Sequence, residues 1–246
     1  MNAIVKSIKN HRSIRQYSDK DVPEEILNEI LEASQAMPSS INSQEVSVVV
    51  VRDRLKKEKL AELTGNQSYI ADAPVFLVFV MDMYKTYLAG EKTGNKQVIH
   101  ESLEGIAAGV FDSGLAMGGS IIAAESLGLG IVPIGGVRRD PEEVIKLLNL
   151  PEYTYPLVGL VIGYPSDNSR QKPRFPLEAF KHNETYDKDK LKNLIDKYDA
   201  NMEVYLKEIG REQEGNWSAL TSNIYKSVYY PKVKPTLESQ GFKFDK

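Results

Sequence analysis

Apolar positions in this chain recur in two rhythms, one helical and one of strand length, and the two alternate. Ile4, Val5 and Ile8 fall at helical spacing, so residues 2–10 read as a short amphipathic helix. A basic run follows, His11-Arg12-Ser13-Ile14-Arg15; if it is extended, His11, Ser13 and Arg15 share one side and Arg12 and Ile14 the other. After a polar turn, Pro23-Glu24-Glu25 starts a helix, since proline is preorganised for the first turn and carboxylates complement the dipole there. Ile26, Leu27, Ile30 and Leu31 form its buried stripe, and it ends before Pro38. The loop Pro38-Ser39-Ser40-Ile41-Asn42 leads into an apolar run, 46–51, that reads as a buried strand. Residues 55–63 form a charged helix closed by Gly65, with Gln67 and Tyr69 in the loop beyond it. The second strand, 75–81, is apolar throughout and therefore central.

Residues 84–97 show little periodicity, and Gly90 and Gly94 mark them as a mobile, lid-like excursion. The longest helical stretch is 102–127, with Gly105, Gly109, Gly114, Gly118 and Gly119. Glycine lowers helix propensity, so five of them call for close packing as compensation, and the helix is read as central with an oligomer interface on one face. A strand at 131–137 carries Gly135-Gly136, a helix starts at Asp140-Pro141, and 156–163 is the fourth strand. A second basic pair, Lys172-Pro173-Arg174, sits in a polar loop. Leu191, Leu194, Ile195, Tyr198, Met202, Tyr205 and Leu206 give the charged stretch 187–209 a helical stripe. The last residues, 217–246, form a helix and an aromatic tail that docks on a surface such as a neighbouring subunit.

Composition narrows the function classes. A net charge of −3, with Lys and Arg spread evenly, provides no polybasic face for nucleic acid. The absence of cysteine removes disulfides, thiolate nucleophiles and Cys-ligated metals, and the three histidines, His11, His100 and His182, lack metal-ligand spacing. Asp112 and Glu125 interrupt the long helix as a membrane span, so no membrane is expected. The N-terminal stretch has no continuous apolar core of the secretory kind, and the expected location is cytoplasmic. Gly128-x-Gly130 is followed by Pro133 where a dinucleotide fingerprint needs its third glycine, and neither a phosphate-binding GxxxxGK[ST] loop nor a nucleophile elbow occurs. What remains is two basic clusters, a Ser/Asn loop, a Gln-containing loop and a glycine turn after a strand. Together these suit one anionic, planar ligand: cations for a phosphate, amides and hydroxyls for heteroatoms, glycines for close backbone approach.

These segments, in this order, resemble the FMN-dependent nitroreductase family, in particular its NfsA and FRP type of oxygen-insensitive nitroreductase and flavin reductase. The resemblance runs through HRSIR, PSSIN, GNQSYI, AAESLGLGIVPIGGVR and LVGLVIGYP followed by KPR, to about residue 186. It implies an α+β fold with a mostly antiparallel sheet between helices, in an intertwined homodimer that exchanges C-terminal tails. Residues 1–186 would be the FMN-binding core and 187–246 a helical extension and dimer-wrapping tail of the same domain.

The implied activity is two-electron, ping-pong reduction of small-molecule acceptors (nitroaromatics, quinones or free flavins) by NADH or NADPH through bound FMN. The competing reading is a non-catalytic FMN store or sensor. By resemblance, His11, Arg12 and Ser13 lie at the FMN phosphate, joined by Lys172 and Arg174. Arg15 approaches the N1 and O2 edge of the flavin, where reduction places negative charge that a cation stabilises. Ser39 and Asn42 reach across from the partner subunit, Gln67 and Tyr69 address the ring or ribityl chain, and the backbone of Pro133, Ile134, Gly135 and Gly136 approaches N5 and O4. Relatives often carry Tyr where this chain has Pro133. Lys207 and Arg211 are the implied dinucleotide contacts. Relatives that prefer NADPH often show several cations before a Trp-Ser pair, whereas here Glu208, Glu212 and Glu214 accompany one Lys and one Arg ahead of Trp217-Ser218, which predicts weakened NADPH preference.

Overall fold

The computed structural model describes residues 2–167 and 169–244. Its elements are α1 Ala3–Lys9, α2 Glu24–Gln35, β1 Val46–Val51, α3 Arg54–Leu63, α4 Tyr69–Asp72, β2 Val75–Asp82, α5 Tyr84–Thr93, α6 Leu103–Ser126, β3 Gly130–Ile134, α7 Pro141–Leu148, β4 Thr154–Gly163, α8 Leu177–Phe180, α9 Leu191–Glu208, α10 Trp217–Tyr225 and α11 Val233–Ser239. The chain divides into two compact units, Met1–Ser169 with Tyr230–Lys246, and Arg170–Tyr229.

The first unit is built on a four-stranded sheet of order β1-β2-β4-β3 in which every neighbouring pair is antiparallel. The unbroken apolar run of β2 has its cause here, because β2 lies between β1 and β4 and every one of its residues is buried. One face packs Phe76, Val78 and Val161 with Leu60, Ile70 and Val144 from the helices; the other packs Leu77, Phe79 and Leu160 with Leu27, Ile30, Ala116 and Ala124. This is the α+β arrangement expected.

Among the described residues, α6 is the helix long and apolar enough to cross a membrane by length and composition. Two of its glycines let it pack closely on the core. A Cβ on Gly109 would lie 2.5 Å from Met81 Sδ on β2, and one on Gly119 would lie 2.7 Å from Met37 Cγ. Gly114 and Gly118 have nothing within 4 Å of such a Cβ, so those two positions face outward, beside Val110 and the 66% exposed Phe111.

Two expectations need correction. Residues 84–97 are not irregular: Tyr84–Thr93 is a helix with no buried residue, outside the core as expected, and its glycines serve the ending. Gly94 takes the left-handed C-cap at φ 75°, and the bare Gly90 lets the returning Asn95 carbonyl approach, where a Cβ would stand 2.5 Å away. The strand expected at 131–137 stops at Ile134, and Gly135–Arg138 turn as a 3-10 helix because Gly136 packs beneath Thr64. The described end of the aromatic tail, 230–244, belongs to the first unit. Phe242 is fully buried with Met81, Met83, Tyr155, Leu157 and Leu237, a burial that contributes about 1.5–3 kcal/mol.

The second unit, 170–229, centres on α9. Tyr198, Met202 and Leu206 are buried there against Phe175, Trp217 and Leu220, with the Trp217 ring edge-on to Phe175 at 4.8 Å. Asn216 caps α10 by accepting the Ala219 N–H at 3.0 Å.

Candidate functional site

The basic run is placed by one apolar residue. Ile14 is buried because Gly130, which opens β3, leaves it room: a Cβ there would sit 2.7 Å from Ile14 Cγ1. The Ile14 N–H donates to Ile131 O at 2.9 Å, Ser13 bridges Ile131 in parallel, and the Ser18 N–H reaches Tyr164 O at 2.9 Å. Residues 13–18 therefore run along the β3 edge towards the end of β4. Ser13 is half-buried, and Arg12 and Arg15 are exposed. The expected two-sided alternation is only partly met: Ile14 is buried and Arg12 is not, since the ladder to β3 is a single bridge rather than a strand.

His11 is tied down by a residue that sequence reading used only as a charge interrupting the long helix. Its Nδ1 lies 2.6 Å from Glu125 Oε1, with the two side chains 25% and 13% exposed. Glu125 stands in the last turn of α6, where an acid opposes the helix dipole. That misfit was the available signal that a cation would be near.

The second cluster joins Gln67, Tyr69 and Gly136. Gln67 Nε2 donates to Thr64 O at 2.8 Å, and the Tyr69 hydroxyl donates to Gln67 Oε1. A Cβ on Gly136 would meet Thr64 O at 2.5 Å and Gln67 Nε2 at 3.0 Å, so only glycine allows the turn after β3 to pack on this side chain. Tyr17, not singled out in the sequence, links this cluster to the basic run. Its hydroxyl donates to Ile14 O at 2.7 Å; burial, and next the neighbouring Tyr69, push its pKa far above the usual phenol range, with Arg15 pulling the other way. A polar cavity of about 560 Å³ opens beside Arg15, Tyr17, Arg54 and Lys57. Pro133 of β3, half-buried, pairs with Leu160 of β4 and stands on an edge strand of the sheet, where a missing N–H is tolerated. Ile134 is buried in the core, and Gly135 has as its nearest obstacle a flexible Arg138 Nη2, 3.3 Å from a would-be Cβ.

Ser39 and Asn42 are bonded within their own loop. The Asn42 N–H donates to Ser39 O at 3.1 Å, and the Gln44 N–H reaches Ser39 Oγ at 3.3 Å. The loop is fastened to α6, with the Ser40 N–H donating to Asp112 Oδ2 at 2.7 Å. The remaining candidates belong to the second unit. Arg174 Nη1 donates to Lys172 O at 2.9 Å, closing the basic pair into a compact turn that Tyr198 holds through Pro173 O at 2.9 Å. Arg211 is engaged two-fold by Glu214, one contact being Nη2 to Oε2 at 2.7 Å, while Lys207 lies in the last turn of α9. Next to Lys207, Glu208 is bound to Arg170 at 2.7 Å.

Exposed guanidinium groups at Arg12 and Arg15, a half-buried hydroxyl at Ser13, an amide-phenol pair at Gln67 and Tyr69, and an approachable glycine backbone fit an anionic cofactor with a planar polar ring. Comparisons with known proteins point the same way. The chain is 47% identical, over all of its length and all of the relative's, to a Bacillus subtilis protein named FMN reductase [NAD(P)H]. It is 35% identical to a Pseudomonas protein named CR(VI) reductase, covering 96% of this chain and 97% of that one. The solved structure of B. megaterium NfrA2 superposes with a TM-score of 0.97 at 48% identity, with both chains covered in full. Residues 8–164 match the nitroreductase family and residues 172–245 match that family's C-terminal domain, so the chain belongs to the nitroreductase family.

Proposed function

We propose that this protein is an FMN-dependent oxidoreductase that uses NADH or NADPH to reduce nitroaromatics, quinones or free flavins in a ping-pong cycle, as a cytoplasmic homodimer. One observation carries the reading: Arg12, Ser13 and Arg15 are laid along the β3 edge, and Tyr17 connects them to Gln67 and Tyr69 packed over the glycine turn that ends β3. The end-to-end likeness to a protein named FMN reductase [NAD(P)H] supports it.

When bound, FMN would supply two-electron redox chemistry. The chain's own residues bind and orient. Arg12 and Ser13 address the phosphate, with His11 oriented by Glu125 so that Nδ1 faces the carboxylate and Nε2 is left for the ligand. Lys172 and Arg174 offer a second pair of cations suited to phosphate. Arg15 stands ready to stabilise negative charge at the ring's N1 and O2 edge, Gln67 and Tyr69 address ring or ribityl polar atoms, and the backbone of Pro133 to Gly136 takes the N5 and O4 side. Ser39 and Asn42 are assigned to the flavin of the partner subunit, and Lys207 and Arg211 to the dinucleotide.

The dimer reading rests on exposed apolar surface. Ile4, Val5 and Ile8 of α1 are 53%, 44% and 46% exposed, and α6, which packs against α1, presents Val110, Phe111, Gly114 and Gly118 outward.

Anaerobic mixing of the FMN-loaded protein with NADH or NADPH tests the function. Bleaching of the flavin absorbance by either, followed by recovery with a nitroaromatic, a quinone, free flavin or chromate, is the expected outcome. Colour that persists with both dinucleotides rejects turnover and favours storage or sensing.

A further inference from the structure

Beneath the loop that carries Ser39 and Asn42, two carboxyl groups are buried side by side. Asp112, on the inner face of α6, is 2% exposed, and Glu45, just before β1, is 4% exposed. Asp112 Oδ2 accepts the Ser40 N–H; among the described residues, no donor reaches its other oxygen. The Glu45 carboxyl lies within hydrogen-bonding reach of Asp112. Ser43 Oγ sits between Glu45 Oε2 and Ser40 O, 2.6 Å from the latter, and the Asp82 N–H donates to Glu45 O at 2.8 Å. The loop so gripped needs a restraint. Ile41, Asn42 and Gln44 all hold left-handed backbone, at φ 47°, 59° and 55°, and the Ile41 side chain, 96% exposed, has no packing to hold it there.

Two ionised carboxylates in contact and out of water repel, and neither has a donor for the other. A single proton removes both penalties, because a neutral carboxyl donates to its ionised neighbour. Other charged groups face the pair from three elements. Lys85 of α5 bonds Val46 O at 2.8 Å and stands 3.9 Å from Asp82; Asp82 at the end of β2 accepts from Ser47 Oγ; and Glu32 of α2 shares the wall of the adjoining cavity of about 420 Å³. Burial raises the Glu45 pKa most, Asp112 raises it further, and Lys85 opposes the shift.

We propose that a protonated Glu45 donates to Asp112 and that the two act as a positioning pair for the loop carrying Ser39 and Asn42, loosening it when Glu45 ionises. The consequence for flavin rests on the functional reading above. The sign follows from the direction of the Glu45 shift. A carboxyl whose folded-state pKa is raised binds more protons folded than unfolded, so its stabilisation is complete below the ordinary Glu range and is lost as pH rises through the raised value.

Amide exchange at Ser40 in the FMN-loaded protein, corrected for intrinsic exchange, reads the pair directly. In the wild type, protection is expected to fall with rising pH, by up to about tenfold per pH unit. Glu45→Gln keeps a donor towards Asp112 with no charge to lose, and Asp112→Asn accepts from Ser40 while donating to Glu45; in both, the profile should be flat with the amide still protected. Wild-type protection that is level from about pH 5 to about pH 9, or a slope that survives in both variants, overturns the proposal. The FMN release rate is the second readout. Release that accelerates over the same range in the wild type and not in Glu45→Gln supports the loop's role at the flavin. A pH-dependent Ser40 amide with pH-independent release keeps the pair and removes Ser39 and Asn42 from the flavin site.

Discussion

At the scale of single residues, placement depends on neighbours far away in sequence. Arg15 is exposed and stands at the mouth of a polar cavity, with Tyr17 between it and Tyr69. A charge-assisted hydrogen bond to a ligand contributes about 1.5–3 kcal/mol, so Arg15→Ala is expected to weaken FMN binding about ten- to a hundredfold and to slow flavin reduction. Flavin fluorescence titration and stopped-flow reduction read the two effects; full retention with wild-type turnover removes Arg15 from the site. His11, Arg12, Ser13 and Arg15 could be picked out in the sequence because charge and hydroxyl side by side are visible locally. Glu125 and Tyr17 could not be given their roles that way. Glu125 meets His11 across 114 positions, and Tyr17 reads as an ordinary aromatic until the β3 edge brings it to Tyr69.

At the scale of elements, periodicity located the four strands and the long helices to within a few residues, because each buries a continuous or regularly spaced apolar face. It misjudged segments whose form depends on glycine. In Tyr84–Thr93 no residue is buried, so no stripe announced the helix, and Gly90 and Gly94 looked like breaks when they serve to close it. The segment ahead of Trp217 carries a prediction at this scale. Arg211 is already held by Glu214, and Arg170 by Glu208, so of the two cations assigned to the dinucleotide one is engaged, which weakens the hold on a 2'-phosphate. Comparable kcat/KM for NADH and NADPH is expected, and Glu214→Gln, which releases Arg211, should shift the ratio towards NADPH. A hundredfold advantage for NADPH in the wild type sinks this account.

At the scale of the whole molecule, the outward face of α6 is the feature the single chain leaves unexplained. Gly114 and Gly118 lower helix stability by about 0.5–1 kcal/mol each relative to alanine, and no contact within the described chain needs them small. A second subunit packed closely on that face would. Sedimentation should therefore show a dimer for the wild type, and Gly118→Leu should shift it towards monomer with loss of FMN. A dimer that is unaffected by Gly118→Leu places the interface elsewhere. Alanine at the same position in a true monomer would only raise thermal stability.

By itself the sequence determined the central strand, the core helices and the basic and amide groups suited to an anionic planar ligand, because these depend on local spacing and on side-chain chemistry; the class of the fold came from the resemblance to a family. The tertiary structure alone decided which of those groups meet. It set Ile14 under Gly130, closed Gln67 onto the Gly136 turn, buried Phe242 with Met81 and Tyr155 and buried Asp112 beside Glu45. Such pairings arise from packing between elements distant along the chain, where steric fit and desolvation act and periodicity carries no information.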